Sequence, residues 1–251
     1  MRPGPKGLAR IAGVLYLLVA VFTIFAGAVN AGVVGEGDAA ATASGLRDSA
    51  LLFRVGFVSE LVGAVCFLAT GLALYLLFRH VDPAASMAMV VVVAVGVAMQ
   101  TLNLVHQSAA LTVATGQDHA GAFEPAGPDR LAALLTDMYQ DGYLVSQTFF
   151  GLWLLPLAYL VVRSGYVPKA LGVLLVIGAA GHLTDVFSRL LDPAAGAAIS
   201  PFAMAPAAVA EISFIVWLLV KAVRVPAPDT RAPEEQRSGG RSTRPPGAPS
   251  R

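Results

Sequence analysis

Glu60, Asp185 and Glu211 each lie well inside a long apolar run, where an ionised carboxylate is expensive. Acids in such places serve one of two ends. They hold a proton, a cation or a polar solute, or they act as glue between helices, at about 0.6 kcal/mol per hydrogen bond. The residues around them extend either role. His182, Asp185 and Arg189 are spaced by three and four, so they share one helix face. Asn103 and His106 are three apart in another run, and Arg54 precedes Glu60 by six. The candidate ligand- or ion-binding set is therefore Glu60, Asn103, His106, His182, Asp185, Glu211, Arg54 and Arg189. Gln100 and Gln147 read as packing contacts, and Asn103 leans the same way.

Metal-assisted hydrolysis needs three or more ligands of this kind at one point. His106, His182, Asp185 and either Glu60 or Glu211 have suitable side chains, but no HExxH or paired-histidine helix motif organises them. The expectation is no metal site. GxSxG, P-loop and strand-preceded GxGxxG motifs are missing as well, which removes serine hydrolase, ATPase and dinucleotide-binding readings. An enzyme is the less favoured class, and no cofactor is indicated. The one cysteine, Cys66, excludes an intrachain disulfide and reads as a small core residue.

These residues must be positioned by membrane helices. Six apolar stretches, approximately Leu8–Val29, Leu51–Phe78, Ala84–Ala114, Tyr143–Val162, Ala170–Leu191 and Pro201–Val223, each supply the roughly 20 residues needed to cross a bilayer. The chain is 56% hydrophobic and 13% charged, against about 25% charged for a soluble domain. No basic stripe interleaved with aromatics suggests nucleic-acid binding. An all-α, six-helix transmembrane bundle is expected over 8–224. A short segment, 1–7, precedes it, and a Pro/Gly/Ser/Arg-rich tail over 225–251, unable to bury a core, is expected to be disordered. The first stretch is too long for the apolar region of a signal peptide and is expected to be retained.

Charge sets the orientation. Arg2, Lys6, Arg10, Arg79, Arg163, Lys169, Lys221 and Arg224 flank one set of helix ends, while Glu36, Asp38, Asp48, Asp118, Glu124 and Asp129 crowd the other connections. Basic flanks stay in the cytoplasm, so a multi-pass plasma-membrane protein with both termini inside is expected. In that frame the polar residues fall at mid-depth or nearer the outer face. The inner half is almost pure hydrocarbon. Inward-facing acids are expected to be protonated, hydrated, or paired with Arg54, Arg189 or a histidine. Gly32–Ala50 and Gly116–Pro128 read as outer loops. Pro83, Pro193 and Pro201 read as punctuation of connections, and Pro156 and Pro206 as prolines within spans. An amphipathic helix carries Leu131, Leu134, Leu135 and Met138 on one face, either lying at the interface or extending the fourth span. Two similar segments, RHVDPAAS at 79–86 and RLLDPAAG at 189–196, hint at an inverted repeat, although short matches arise readily in an Ala-rich chain.

GDAAATA (37–43), FRVGFVSEL (53–61), LALYLLFRHVDPAASMA (72–88), RSGYVPKALGVLL (163–175) and AEISFIVWLLVKA (210–222) together resemble the domain of unknown function 4386 family of bacterial integral membrane proteins. The resemblance spans roughly 8–223. It implies a six-helix membrane protein and no established activity. Arg54, Asn103, Gly165, Gly172, Asp185 and Glu211 match typical positions of that pattern, whereas His182 stands where an aromatic is commoner, which argues against family-wide chemistry at that residue. Three functional classes follow: a binding or transport-related protein for a cation, proton or amphipathic small molecule; an intramembrane enzyme; and an accessory subunit. The bilayer is the one certain partner, and a transport role would call for a homodimer.

Overall fold

The computed structural model describes residues 4–34, 38–116 and 127–223. Among the described residues eight helices follow one another: α1 (Pro5–Val33), α2 (Ala39–Asp48), α3 (Ala50–Phe78), α4 (Pro83–Ala114), α5 (Gly127–Leu152), α6 (Leu154–Ser164), α7 (Lys169–Leu191) and α8 (Pro193–Val220). Six spans are long and apolar enough to cross a membrane, with α5 and α6 together making the fourth. No strand occurs among the described residues. The outward faces carry large exposed apolar residues such as Leu51, Val65, Leu102, Val173 and Phe202. In water such surface would be a liability; against acyl chains it is the expected face of a multi-pass membrane protein.

Sequence chemistry explains where the helices start and break. Pro83 and Pro193 each occupy the first turn, after an aspartate whose side chain accepts from the amides that follow. Asp82 takes Ala84 and Ala85, and Asp192 takes Ala195. The shared DPAA segments are thus two copies of one helix-start device, so their likeness needs no inverted repeat. Pro156 has no amide proton and its ring crowds the carbonyl four residues back. That carbonyl belongs to Leu152, where α5 gives way to a turn at Trp153.

Two expectations change and an open alternative is settled. Gly32–Ala50 is not simply a loop. Asp38 caps α2 through the Ala40 amide, and Thr42, Ala43 and Leu46 are buried beneath it. Arg47, in the last turn, pairs with Asp129 at 2.8 Å and donates to the Ala114 carbonyl, tying α2 to α4 and α5. The sixth span begins at Pro193, so Pro201 lies inside a helix. The amphipathic segment after 127 is continuous with α5 and extends the fourth span. The proposed tail over 225–251 and loop residues 117–126 lie outside the described residues.

Lys6, Arg10, Arg79, Arg163, Lys169 and Lys221 mark one end of the bundle, here the basic end; Asp38, Asp129 and Asp192 mark the acidic end. The larger core, including Phe67, Leu74, Leu77, Phe78, Met89, Trp153, Leu157, Leu160 and Leu218, fills the basic half. A smaller one, built on Val29, Val33, Leu46, Phe53 and Leu111, sits at the acidic end. Small residues let α7 and α8 approach closely: a methyl on Gly181 would meet the Ala203 carbonyl, and one on Gly178 would meet Ala210 and Ala207.

Candidate functional site

The fifteen-odd ångströms from the start of α3 to Glu60 follow from its ten-residue offset at about 1.5 Å per residue. There the carboxylate is buried, at 6% exposure. The Tyr139 hydroxyl donates to Glu60 Oε2 at 2.6 Å, and Gln100 Nε2 donates to Oε1. Asn30 Nδ2 donates to the Tyr139 hydroxyl at 3.4 Å, and Gln107 Nε2 donates to Asn30 Oδ1 at 2.9 Å. A hydrogen-bonded ladder therefore runs Gln107–Asn30–Tyr139–Glu60–Gln100, from near the acidic end to mid-depth. Asn103 braces it by donating to the Tyr139 carbonyl at 2.8 Å, while its Oδ1 meets His106 Nδ1 at 3.1 Å. Gly142 makes room for that brace, because a Cβ there would strike the Asn103 amide.

A second group joins α1, α5, α7 and α8. The Tyr16 hydroxyl donates to Glu211 Oε2, and His182 Nε2 lies 2.9 Å from Oε1. Gln147 Nε2 donates to Asp185 Oδ2 at 2.7 Å and reaches Met204 Sδ at 3.4 Å. Asp185 is 1% exposed, and its Oδ1 and the His182 Nδ1 have no hydrogen-bond partner among the described residues. Gly151 lets α5 approach α7 closely here, because a Cβ there would strike the His182 Cβ. Tyr143 lies one turn from Tyr139 and one turn from Gln147 on α5, the helix that reaches both groups. Toward the basic end, Tyr143, Phe150, Phe67, Trp153 and Tyr16 stack edge to face with centroids 5.0–6.2 Å apart, and aliphatic core lies beyond.

The eight predicted residues sort unevenly. Glu60 and Asn103 with His106 enter the first group; His182, Asp185 and Glu211 form the second. Arg54 and Arg189 are exposed and pair with none of the acids among the described residues. Arg189 is one turn beyond Asp185, but the carboxylate turns inward to Gln147 on α5 while the guanidinium stays outside. His182 is the basic group that does pair. Glu211 sits nine residues from the basic end of α8 and is half-buried. Among the described residues no three His, Cys, Asp or Glu side chains converge closely enough to hold a metal ion.

Sequence reasoning missed the tyrosines. Tyr139, Tyr143 and Gln147 recur every fourth residue on α5, so the stripe was there to be read; a tyrosine in an apolar run passes for membrane aromatic. Tyr16 and Asn30 gave no such spacing. Gln100 and Gln147, which lean toward interhelical glue in the sequence, donate across helices to the acids.

Outside the membrane core, Asp82 is the one perturbed acid with a clear geometric cause. The Ala85 amide above all, with the Tyr159 hydroxyl at 3.2 Å, the Ala84 amide and Arg163, holds its carboxyl below the usual carboxylate range against partial desolvation.

The profile of the domain of unknown function (DUF4386) matches residues 11–222. The chain belongs to this family. Six apolar spans and two buried polar groups are thus features of a DUF4386 member's membrane domain. The chain is also 36% identical over 73 residues to an uncharacterized protein of Archaeoglobus fulgidus; the match covers 29% of this chain and 41% of that protein. No solved structure matches it.

Proposed function

We propose that this DUF4386 protein binds protons, or a small cation in their place, at Glu60, Asp185 and Glu211. One observation carries the reading: three acids inside the bundle are held by hydroxyl, amide and imidazole groups instead of by lysine or arginine. Two ionised carboxylates with only neutral donors carry a desolvation penalty of several kcal/mol each. Uptake of a proton or a cation removes it. Tyrosine hydroxyls on both glutamates, with Tyr143 on α5 between Tyr139 and Gln147, suit passage of a proton from one group to the other.

If the basic ends face the cytoplasm, Gln107 and Asn30 form the mouth of the ladder on the outer face of the plasma membrane. The aromatic stack then ends it at mid-depth, and movement further would require that stack to open. Such a protein would act with a partner subunit or as a homodimer, six helices being few for a transporter alone.

Infrared spectroscopy of the reconstituted protein tests the reading. Titrating pH should raise and lower protonated-carboxyl bands, with separate bands lost in Glu60→Gln, Asp185→Asn and Glu211→Gln. Sodium or potassium at constant pH should erase those bands if a cation is the occupant and leave them if it is the proton. Bands that never change between acid and alkali, with or without salt, would rule the reading out.

A further inference from the structure

Between α3 and α4 at the acidic end lies a groove of about 390 Å³, walled by Phe53, Arg54, Val58, Gln107, Ser108 and Thr112 among others. It runs into a shallower trough of about 510 Å³ that shares Phe57, Ser108 and Thr112 and continues over Leu104 and Val105 toward mid-depth. Two of its polar groups lack partners. The Arg54 guanidinium is exposed on the second turn of α3 and has no hydrogen bond or ion pair among the described residues. Gln107 is 1% exposed; its amide nitrogen is committed to Asn30, and its Oε1 accepts from nothing among the described residues.

The groove therefore offers a cation at the rim, a buried acceptor lacking a donor, and a hydrocarbon trough that opens between the exposed, lipid-facing Val58 and Val105. A phosphate oxyanion matches the guanidinium fork. A headgroup hydroxyl matches the Gln107 oxygen, and an acyl chain matches the trough. We propose that the groove binds a phospholipid whose headgroup carries a hydrogen-bond donor, with its phosphate on Arg54, the donor on Gln107 and one acyl chain along α4. Phosphatidylglycerol meets all three demands. Phosphatidylcholine has the phosphate and chains but no headgroup donor, and inorganic phosphate makes no use of the apolar wall. This inference does not rest on proton binding, since Arg54 touches none of the acids.

The test is native mass spectrometry of the full chain released from micelles doped with phosphatidylglycerol or phosphatidylcholine. Wild type should retain phosphatidylglycerol several-fold over phosphatidylcholine. Arg54→Gln should fall to the phosphatidylcholine level, while Arg130→Gln, an exposed arginine at the same end, should keep the wild-type preference. Equal retention of both lipids by wild type, an unchanged Arg54→Gln, or an equal loss in Arg130→Gln would each overturn it. Because Arg54 is exposed, its replacement leaves the core intact, and the infrared carboxyl signals report independently on the acids.

Discussion

The same six spans carry opposite chemistry in their two halves. Toward the acidic end, α1, α3, α4 and α5 meet through Asn30, Glu60, Gln100, Asn103, Gln107 and Tyr139, each holding another by a hydrogen bond. Toward the basic end, those helices meet α6, α7 and α8 through Phe67, Leu74, Leu77, Trp153, Leu157 and Leu218. Packing supplies the cohesion of the second half; directional polar contacts supply much of the specificity of the first. At the boundary the Tyr16 hydroxyl donates to Glu211, while its ring and that of Tyr143 join the aromatic stack.

Substitutions in each half separate the two kinds of cohesion. Trp153→Ala should cost the most, about 3–5 kcal/mol, because a 1%-exposed indole packed on Tyr16 and Phe67 leaves a cavity. Denaturant titration in mixed micelles would measure it. Gly181→Ala comes next, at about 1–3 kcal/mol by the same titration, since its methyl must push the Ala203 backbone and part α7 from α8. Tyr139→Phe, in the polar half, should cost only about 0.6–1.7 kcal/mol, the range for hydrogen bonds within membranes, yet it should shift the Glu60 infrared band where Trp153→Ala does not. A Tyr139→Phe loss as large as that of Trp153→Ala would erase the contrast between the halves.

The smallest effect belongs to Asp82. Its carboxyl titrates lower folded than unfolded, so its contribution is present above the unfolded value, about 3.9, and is lost as pH falls through the folded one. Asp82→Asn should therefore destabilise slightly at neutral pH, and the difference from wild type should vanish in strong acid. Melting curves across that pH range would show it.

Much of this architecture was legible in the residues. Six apolar runs, the segregation of Lys and Arg, and acids at interior positions gave the bundle and located Glu60, Asp185 and Glu211 inside it. Partners were not legible, because hydropathy reports how deep a residue lies and says little about which neighbouring helix it meets. Tyr16 and Glu211 are 195 residues apart, and only the packing of α1 on α8 joins them. Helix α2 was hidden for a different reason: its Gly, Ala and Asp content favours a loop, and Asp38 capping with burial of Leu46 overrides that preference. Arg189 shows the converse error. Spacing placed it on the face of Asp185, but a long side chain at a helix end reaches outward to the polar boundary.

The central claim is that polar access enters from the acidic end and stops near mid-depth. Ser59 and Thr70 are both buried on α3, about 17 Å apart along the helix and within roughly 20° of one face. With Cys66→Ser removing the native thiol, Ser59→Cys should react with a small hydrophilic thiol reagent in proteoliposomes and Thr70→Cys should stay protected. Equal labelling of the two, or faster labelling at Thr70→Cys, would contradict the account.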